Sequence, residues 1–234
     1  MTQTVSLSFF RFDSALARLW ALGMMGAARL ALPNVPDIGF WKLCGSGSGV
    51  GFTPLPNTAV YAILCTFPDE ETARNALNTA KIFNRYHAKA SESWSVFLTP
   101  TSSRGNWSGQ EPFQPNNQTP DGPLAALTRA TIKPSILAQF WRRVPDISDV
   151  IGNDPNVAFK IGIGELPLLH QVTFSIWPNA QSMADFARRD GPHARAIKAV
   201  RDGNWFAEEL YARFRVIGEQ GTWNGSSPLS KLDI

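Results

Sequence analysis

The chain has 234 residues, 44% of them apolar and 18% charged, and its 22 Lys and Arg against 19 Asp and Glu leave a formal net charge of +3. This is enough apolar material for a large core, and for two domains of about 115 residues each. The small charge is spread along the chain with no Lys/Arg block and no RNA-stacking motif, which argues against a nucleic-acid partner.

Taken in order, Thr4 to Arg11 is a β-branched and aromatic run and therefore a strand. Ser14 to Ala31 sets Leu16, Leu19, Trp20, Gly23 and Ala27 at helical spacing. Phe40 to Leu43 and Ala59 to Phe67 are two further strands, and Pro68-Asp-Glu-Glu opens a helix with acids in its first turn, where they complement the macrodipole. Trp94 to Thr99 closes the unit. After Pro112 to Pro123, a polar stretch without apolar period, the order recurs: Leu124 to Ile132, Ser135 to Ile151, Val157 to Ile163, His170 to Trp177, Asn179 to Arg201 with a break at Gly191-Pro192, and Glu209 to Ile217.

The recurrence extends to side chains. Gly105-Asn-Trp107-Ser-Gly109 returns 116 residues later as Gly221-Thr-Trp223-Asn-Gly225, and other matched strings are offset by 110 to 121 residues, as for Phe67-Pro68-Asp69 with Trp177-Pro178-Asn179 and Ala17-Arg-Leu-Trp20 with Ala138-Gln-Phe-Trp141. A period this long is a domain rather than a solenoid unit. The order β-α-β-β-α-β is that of ferredoxin-like domains. A single copy leaves one sheet face bare, so two copies predict an α+β fold with two tandem ferredoxin-like repeats joined as a dimeric α+β-barrel-type architecture within one chain. Residues 1–112 and 124–234 are the repeats, and 113–123 the linker.

Cys44 and Cys65 lack metal-type spacing and fit a reduced, cytoplasmic compartment; buried on apolar strands, they are poor thiolate ligands. No signal peptide precedes the first strand. The most apolar segment, Ala15 to Leu32, is interrupted by Arg18 and Arg29 and ends at Pro33. Gly45-Ser-Gly-Ser-Gly-Val-Gly51 lacks the Gly-Lys-Ser/Thr of a phosphate loop and has Val50 where a dinucleotide fingerprint needs glycine, so it reads as a loop between strands. No serine elbow, zinc pair or catalytic cysteine signature is present.

Three histidines remain. His87 lies in a polar helix end and reads as a solvated surface residue, and His170 begins a strand whose Val172, Phe174 and Ile176 form an apolar face. His193 follows the Gly191-Pro192 restart and shares a face with Ala196, Ile197 and Val200. A lone imidazole there is either a core histidine satisfied by a carbonyl or an axial ligand to haem iron.

Phe40-Trp-Lys, Gly51-Phe-Thr-Pro, Phe159-Lys-Ile-Gly, Gln171-Val-Thr-Phe-Ser-Ile-Trp-Pro178, Gly191-Pro-His-Ala-Arg-Ala-Ile197 and Glu209-Leu-Tyr-Ala-Arg-Phe214 resemble the bacterial spheroidene monooxygenase family. The similarity runs from about Thr4 to Leu229. It implies a haem b enzyme that uses O2 and reduced ferredoxin to place a keto group at C-2 of acyclic carotenoids such as spheroidene. Two hydroxylations of one carbon give a gem-diol, which loses water to a ketone, and hydroxylating an unactivated carbon needs an oxidant that only a cofactor supplies. By analogy with haem-binding α+β barrels, His193 is the expected iron ligand. Ile197, Val200, Phe174, Ile176 and Phe214 would line the haem. Arg129, Gln171, Thr173 and Arg213 are candidates for hydrogen bonds to oxygen or propionates, each having a structural role as its simpler reading.

A carotenoid is too long for a closed pocket of roughly 300–1,000 Å³. Peripheral contact at the inner face of the membrane is therefore expected, with the segment around Leu16 to Leu32, its Met24 and Met25 and its two arginines, as the local candidate. Homo-oligomerisation is left open. A haem lyase of the aldoxime dehydratase type and a cofactor-free α+β-barrel binding protein are the alternative functions.

Overall fold

Alternation decides which way each strand faces: in β1 (Thr4–Arg11), Val5, Leu7 and Phe9 point to one side and Ser6, Ser8 and Phe10 to the other. The computed structural model describes residues 2–49, 53–116, 122–142, 156–188, 203–230 and 232. The further strands are β2 (Trp41–Gly47), β3 (Pro56–Phe67), β4 (Glu92–Gly105), β5 (Leu124–Ile132), β6 (Phe159–Gly164), β7 (His170–Trp177) and β8 (Phe206–Gly221). The helices are α1 (Ala15–Ala31), α2 (Glu70–Thr79), α3 (Lys81–Lys89), α4 (described over 137–142) and α5 (Ala180–Arg188).

The strands close into one antiparallel barrel in the order β1-β3-β2-β6-β7-β5-β8-β4. Within the first half the spatial order is β4-β1-β3-β2, and within the second β8-β5-β7-β6, so each strand has its counterpart in the same place. The two seams between the halves differ. β4 and β8 run together from Trp94↔Gly221 to Gly105↔Leu210, with shifts after Phe97 and Pro100, whereas β2 and β6 meet only at Gly45↔Gly164 and Ser46↔Ile163.

Inside the barrel, Phe9, Trp94, Phe159, Phe174 and Trp223 form one aromatic cluster, with Trp94 and Phe159 rings 4.5 Å apart and Phe9 stacked on Trp94 at 5.5 Å. The outer face of the first sheet carries Phe10, Tyr61, Ile63, Cys65, Phe67 and Phe97, packed under α1, α2 and α3. Ser14 caps α1 and Asp69 caps α2, each by accepting a backbone N–H three residues on. The helix expected after Pro68 is two helices, because Ala80 adopts an extended conformation (φ −69°, ψ 132°) between α2 and α3.

Two further expectations change, and the cysteines are buried as expected. β4 and β8 are longer than their apolar cores because each continues into the Trp-containing turn. The start of the expected linker is not free: Phe113 is buried against Phe214 with ring centroids 5.0 Å apart, and Gln3 pairs with Pro112 and Gln114. Cys44 faces the lumen and Cys65 the outer helices, so the sheet separates the two thiols, and burial pushes both upward in pKa.

The paired turns match in backbone detail. Gly105, Ser108 and Gly109 have φ of 94°, 55° and 72°, and Gly221, Asn224 and Gly225 have 88°, 57° and 75°. A Cβ at Gly105 would lie 2.1 Å from the Glu209 carbonyl oxygen, and one at Gly221 2.2 Å from that of Ser93. At Gly109 and Gly225 a Cβ meets nothing within 4 Å. Gly105→Ala and Gly221→Ala should therefore each destabilise by more than about 2 kcal/mol, while Gly109→Ala and Gly225→Ala cost about 1 kcal/mol of left-handed strain. Urea unfolding of the four variants checks this, and equal losses at all four positions would contradict it.

Candidate functional site

Two different places emerge once the expected site residues are located. Gln171 and Thr173 share the outer face of β7 and Arg213 that of β8, since their neighbours Val172, Phe174, Ala212 and Phe214 point into the lumen. Strand register aligns Arg213 with Ala126 and Ser175, and Thr128 with Thr173 and Gly162. The outer face of the second sheet is thus floored by Ala126, Thr128 and Ala130 on β5, Gly162 on β6, and Thr173 and Ser175 on β7. Large side chains bound this floor: Leu124, Trp177 and Phe186 at one end, and Ile132, Phe140 and Trp205 at the other. On the first sheet the register places Ser6, Ser8, Phe10, Leu43, Ile63 and Cys65 at the positions of Ala126, Thr128, Ala130, Gly162, Thr173 and Ser175, so four of the six are larger there. The amide nitrogen Nε2 of Gln171 is buried without a hydrogen-bond partner among the described residues, an uncommon and costly state unless a ligand group meets it.

A flat, largely apolar group fits such a floor, because the side chains beneath it are small and the polar ones lie at its margin. The donor set suits haem: arginines Arg213 and Arg215 on β8 for carboxylates, and Gln171, Thr128 and Thr173 for a polar edge. His193, Ile197 and Val200 lie outside the described residues.

Four expected residues belong elsewhere. Phe174, Ile176 and Phe214 face the barrel lumen, on the side of the sheet away from Gln171 and Arg213, because strand parity sends alternate residues to opposite faces. Arg129 also points inward. It is fully buried at one barrel end, donates from Nη1 to Glu208, and lies 3.7 Å from Glu165. Glu165 also receives Lys42 Nζ at 3.3 Å and His170 Nδ1 at 3.3 Å.

Sequence reasoning missed what Arg129 does. Glu208 accepts from the Ser108 and Gly109 amides at 3.0 and 2.7 Å, so it clamps the turn that inserts Trp107 into the barrel, and the Arg129 guanidinium lies 5.9 Å from the Trp107 ring. At the other end Glu92 accepts from Gly225 at 2.7 Å and pairs with Arg11 at 2.9 Å, and Arg11 sits 4.5 Å over the Trp223 ring. Each half therefore clamps the tryptophan turn of the other. The signal was available: Glu92 and Glu208 differ by the same 116 residues as the two tryptophans.

Cavities flank the thin β2–β6 seam. One of about 280 Å³ is lined by Arg29, Phe40, Trp41, Lys42 and Glu165, and one of about 430 Å³ by Arg11, Ser46, Asn57, Phe159, Lys160 and Trp223. His87, expected at the surface, is half-buried instead, with Nδ1 3.1 Å from Ser93 Oγ and its ring 5.3 Å from Phe10.

A closed antiparallel barrel with helices on its outer faces and a small-residue floor on one of them defines a mixed α and β barrel protein. Its fold is shared, at 9% identity, with a solved aldoxime dehydratase: TM-score 0.62, covering 92% of this chain and 82% of that one. No family model matches the chain. It is 52% identical over 231 residues to the spheroidene monooxygenase of Cereibacter sphaeroides, covering 98% of this chain and 71% of that protein, and 50% identical over 228 residues to that of Rhodobacter capsulatus, covering 96% and 95%. The chain belongs to the spheroidene monooxygenase family.

Two outcomes follow for the clamps and histidines. Burial acts to raise the Glu208 carboxyl, but the Gly109 and Ser108 amides and Arg129 outweigh it and hold it below its usual value. Its contribution is therefore present above about pH 4.3 and lost as pH falls through the lowered folded value. Glu208→Gln should cost about 3 kcal/mol at pH 7, since it leaves a buried guanidinium short of a partner, and the difference from the parent should shrink toward pH 3. A difference independent of pH would show that Glu208 acts only through its size. Burial lowers both His87 and His170, with Glu165 opposing at His170. The folded state then resists protons that the unfolded chain takes up below about pH 6.5, so stability should fall as pH drops from 7.5 to 5, and less steeply in His87→Gln.

Proposed function

We propose that this chain is a haem-dependent monooxygenase that introduces a keto group at C-2 of an acyclic carotenoid such as spheroidene, using O2 and electrons from reduced ferredoxin. The floor of Ala126, Thr128, Ala130, Gly162, Thr173 and Ser175, with the unpartnered Gln171 amide at its margin, carries this reading. Membership in a family of proteins named spheroidene monooxygenase supports the substrate class. The order β4-β1-β3-β2 recurring as β8-β5-β7-β6 supports two tandem ferredoxin-like repeats, the second bearing the cofactor.

Packing of Phe9, Trp94, Phe159, Phe174 and Trp223 inside the lumen supports the outer face of the second sheet as the reaction site. Arg213 and Arg215 would hold the cofactor's carboxylates, the small side chains would leave room for it, and the Gln171 amide would donate to a ligand oxygen. Bound haem supplies the oxidant for an unactivated carbon that no side chain provides. Leu124, Trp177 and Phe186 on one flank exclude water from the apolar chain of the substrate.

Purified protein should show a Soret band at one haem per chain. Ala126→Phe, which fills the floor, should abolish it without lowering the melting temperature by more than a few degrees, while Phe174→Leu in the lumen keeps it. His193→Ala should lose the band and His87→Ala retain it. A heterologous host making acyclic carotenoids should accumulate 2-keto products with the parent and not with Ala126→Phe. Ketone formation by protein without haem would refute the cofactor assignment, and full haem binding by Ala126→Phe would refute its location.

A further inference from the structure

Helix α1 buries Ala21, Met24 and Ala28 on the first sheet, and Met25 packs beside them. The methionines are thus core residues, and the membrane contact expected of them falls to the opposite side of the helix. There Leu16, Leu19, Gly23, Gly26 and Leu30 succeed one another at spacings of three and four, one continuous stripe of a helix. The leucines are exposed by 81% at Leu16, 66% at Leu19 and 79% at Leu30, and Leu22 beside them by 56%. A Cβ at Gly23 or Gly26 would meet nothing within 4 Å, so nothing among the described residues covers the stripe. The segment Ala15–Asn34 has a mean hydropathy of 1.3, high for a helix mostly outside the core.

The charges beside this stripe have one sign. Arg18 and Arg29 are the only ionisable groups on α1, and their Nε atoms donate to the Phe12 and Met25 carbonyls. Helix α3 packs next to α1 through Tyr86 and Trp20, with ring centroids 5.3 Å apart, and turns Lys81, Arg85 and Lys89 to solvent in a row four residues apart. Neither helix carries a carboxylate. Both bury their other sides on the same sheet face, so the leucines and the cations share one outer surface.

We propose that the outer surface of α1 and α3 seats this protein on an anionic lipid surface, with Leu16, Leu19, Leu22 and Leu30 entering the acyl boundary and the arginines and lysines meeting headgroup phosphates. A second copy of the chain is the competing occupant, and the absence of any acid on either helix counts against it: a two-fold contact would set cations against cations. An amphipathic helix with leucines on one side and basic residues at its edge is the form that interfacial binding takes. If the carotenoid reading holds, this surface sets the enzyme against the phase in which its substrate is dissolved; the lipid contact itself is independent of that reading.

Vesicle co-sedimentation without carotenoid separates the two. The parent protein should bind phosphatidylcholine vesicles containing phosphatidylglycerol at least tenfold more tightly than phosphatidylcholine alone. Leu16→Asp/Leu19→Asp/Leu30→Asp, checked for an unchanged thermal transition, should weaken binding to both by tenfold or more. Lys81→Glu/Arg85→Glu/Lys89→Glu should lose the preference for the anionic vesicles. Leu16→Ser/Leu30→Ser replaces the triple variant should that one unfold, with the same direction expected. Absence of vesicle binding by the parent overturns the proposal, as does binding unchanged by the leucine variants. A dimer in sedimentation velocity that these variants make monomeric, without vesicle binding, assigns the surface to a second copy instead.

Discussion

Everything in this barrel hangs on the two tryptophan turns and the charge pairs that hold them from across the molecule. Trp107 and Trp223 each end a long strand and fold back into the lumen; each turn closes on itself, Trp107 with Gln110 and Trp223 with Ser226, and is anchored by a carboxylate of the other half. Arg129 and Glu208 fix the first, and Arg11 and Glu92 the second. The buried Arg129 is tolerable because Glu208 and Glu165 compensate it, and Glu208 in turn satisfies two amides that a tight turn leaves without strand partners. With both ends so closed, the lumen is committed to packing.

The outside is not symmetric, although the strands are. Helices α1, α2 and α3 rest on phenylalanine, tyrosine and isoleucine side chains that fill the first sheet's outer surface. The contrast falls at four equivalent positions, where Phe10, Leu43, Ile63 and Cys65 of the first sheet answer to Ala130, Gly162, Thr173 and Ser175 of the second, while Ser6 and Ser8 answer to Ala126 and Thr128 and are as small. Two sheets with one strand order thus differ in the side-chain volume they carry outward.

Much of the fold was legible because duplication doubles every signal. The Gly-x-Trp-x-Gly pair and the two runs from Phe67 and Trp177 locate equivalent strands, and strand alternation fixes which residues share a face. Strand parity separates residues that chemistry alone groups together: Phe174, Ile176, Phe214 and Arg129 face the lumen and Gln171, Thr173 and Arg213 the outside, because odd and even positions on β5, β7 and β8 face opposite ways. Met24 and Met25 were chosen for adaptability, whereas the helical stripe from Leu16 to Leu30 identifies the solvent side by spacing alone. Long-range pairs such as Arg129 with Glu208 join residues far apart in the chain and leave no local pattern.

The uneven seams give this cylinder a direction in which to yield. Parting β4 from β8 would break a ladder running the length of both strands, but β2 and β6 are buttoned at two residue pairs, beside which Lys42 pairs with Glu165. Thermal motion opens a closed sheet where the fewest bonds must break together. The two cavities sit at either end of that same line, beside the strand pair with the fewest bonds to break. The barrel is thus built as a clasp, with one permanent hinge and one light fastening.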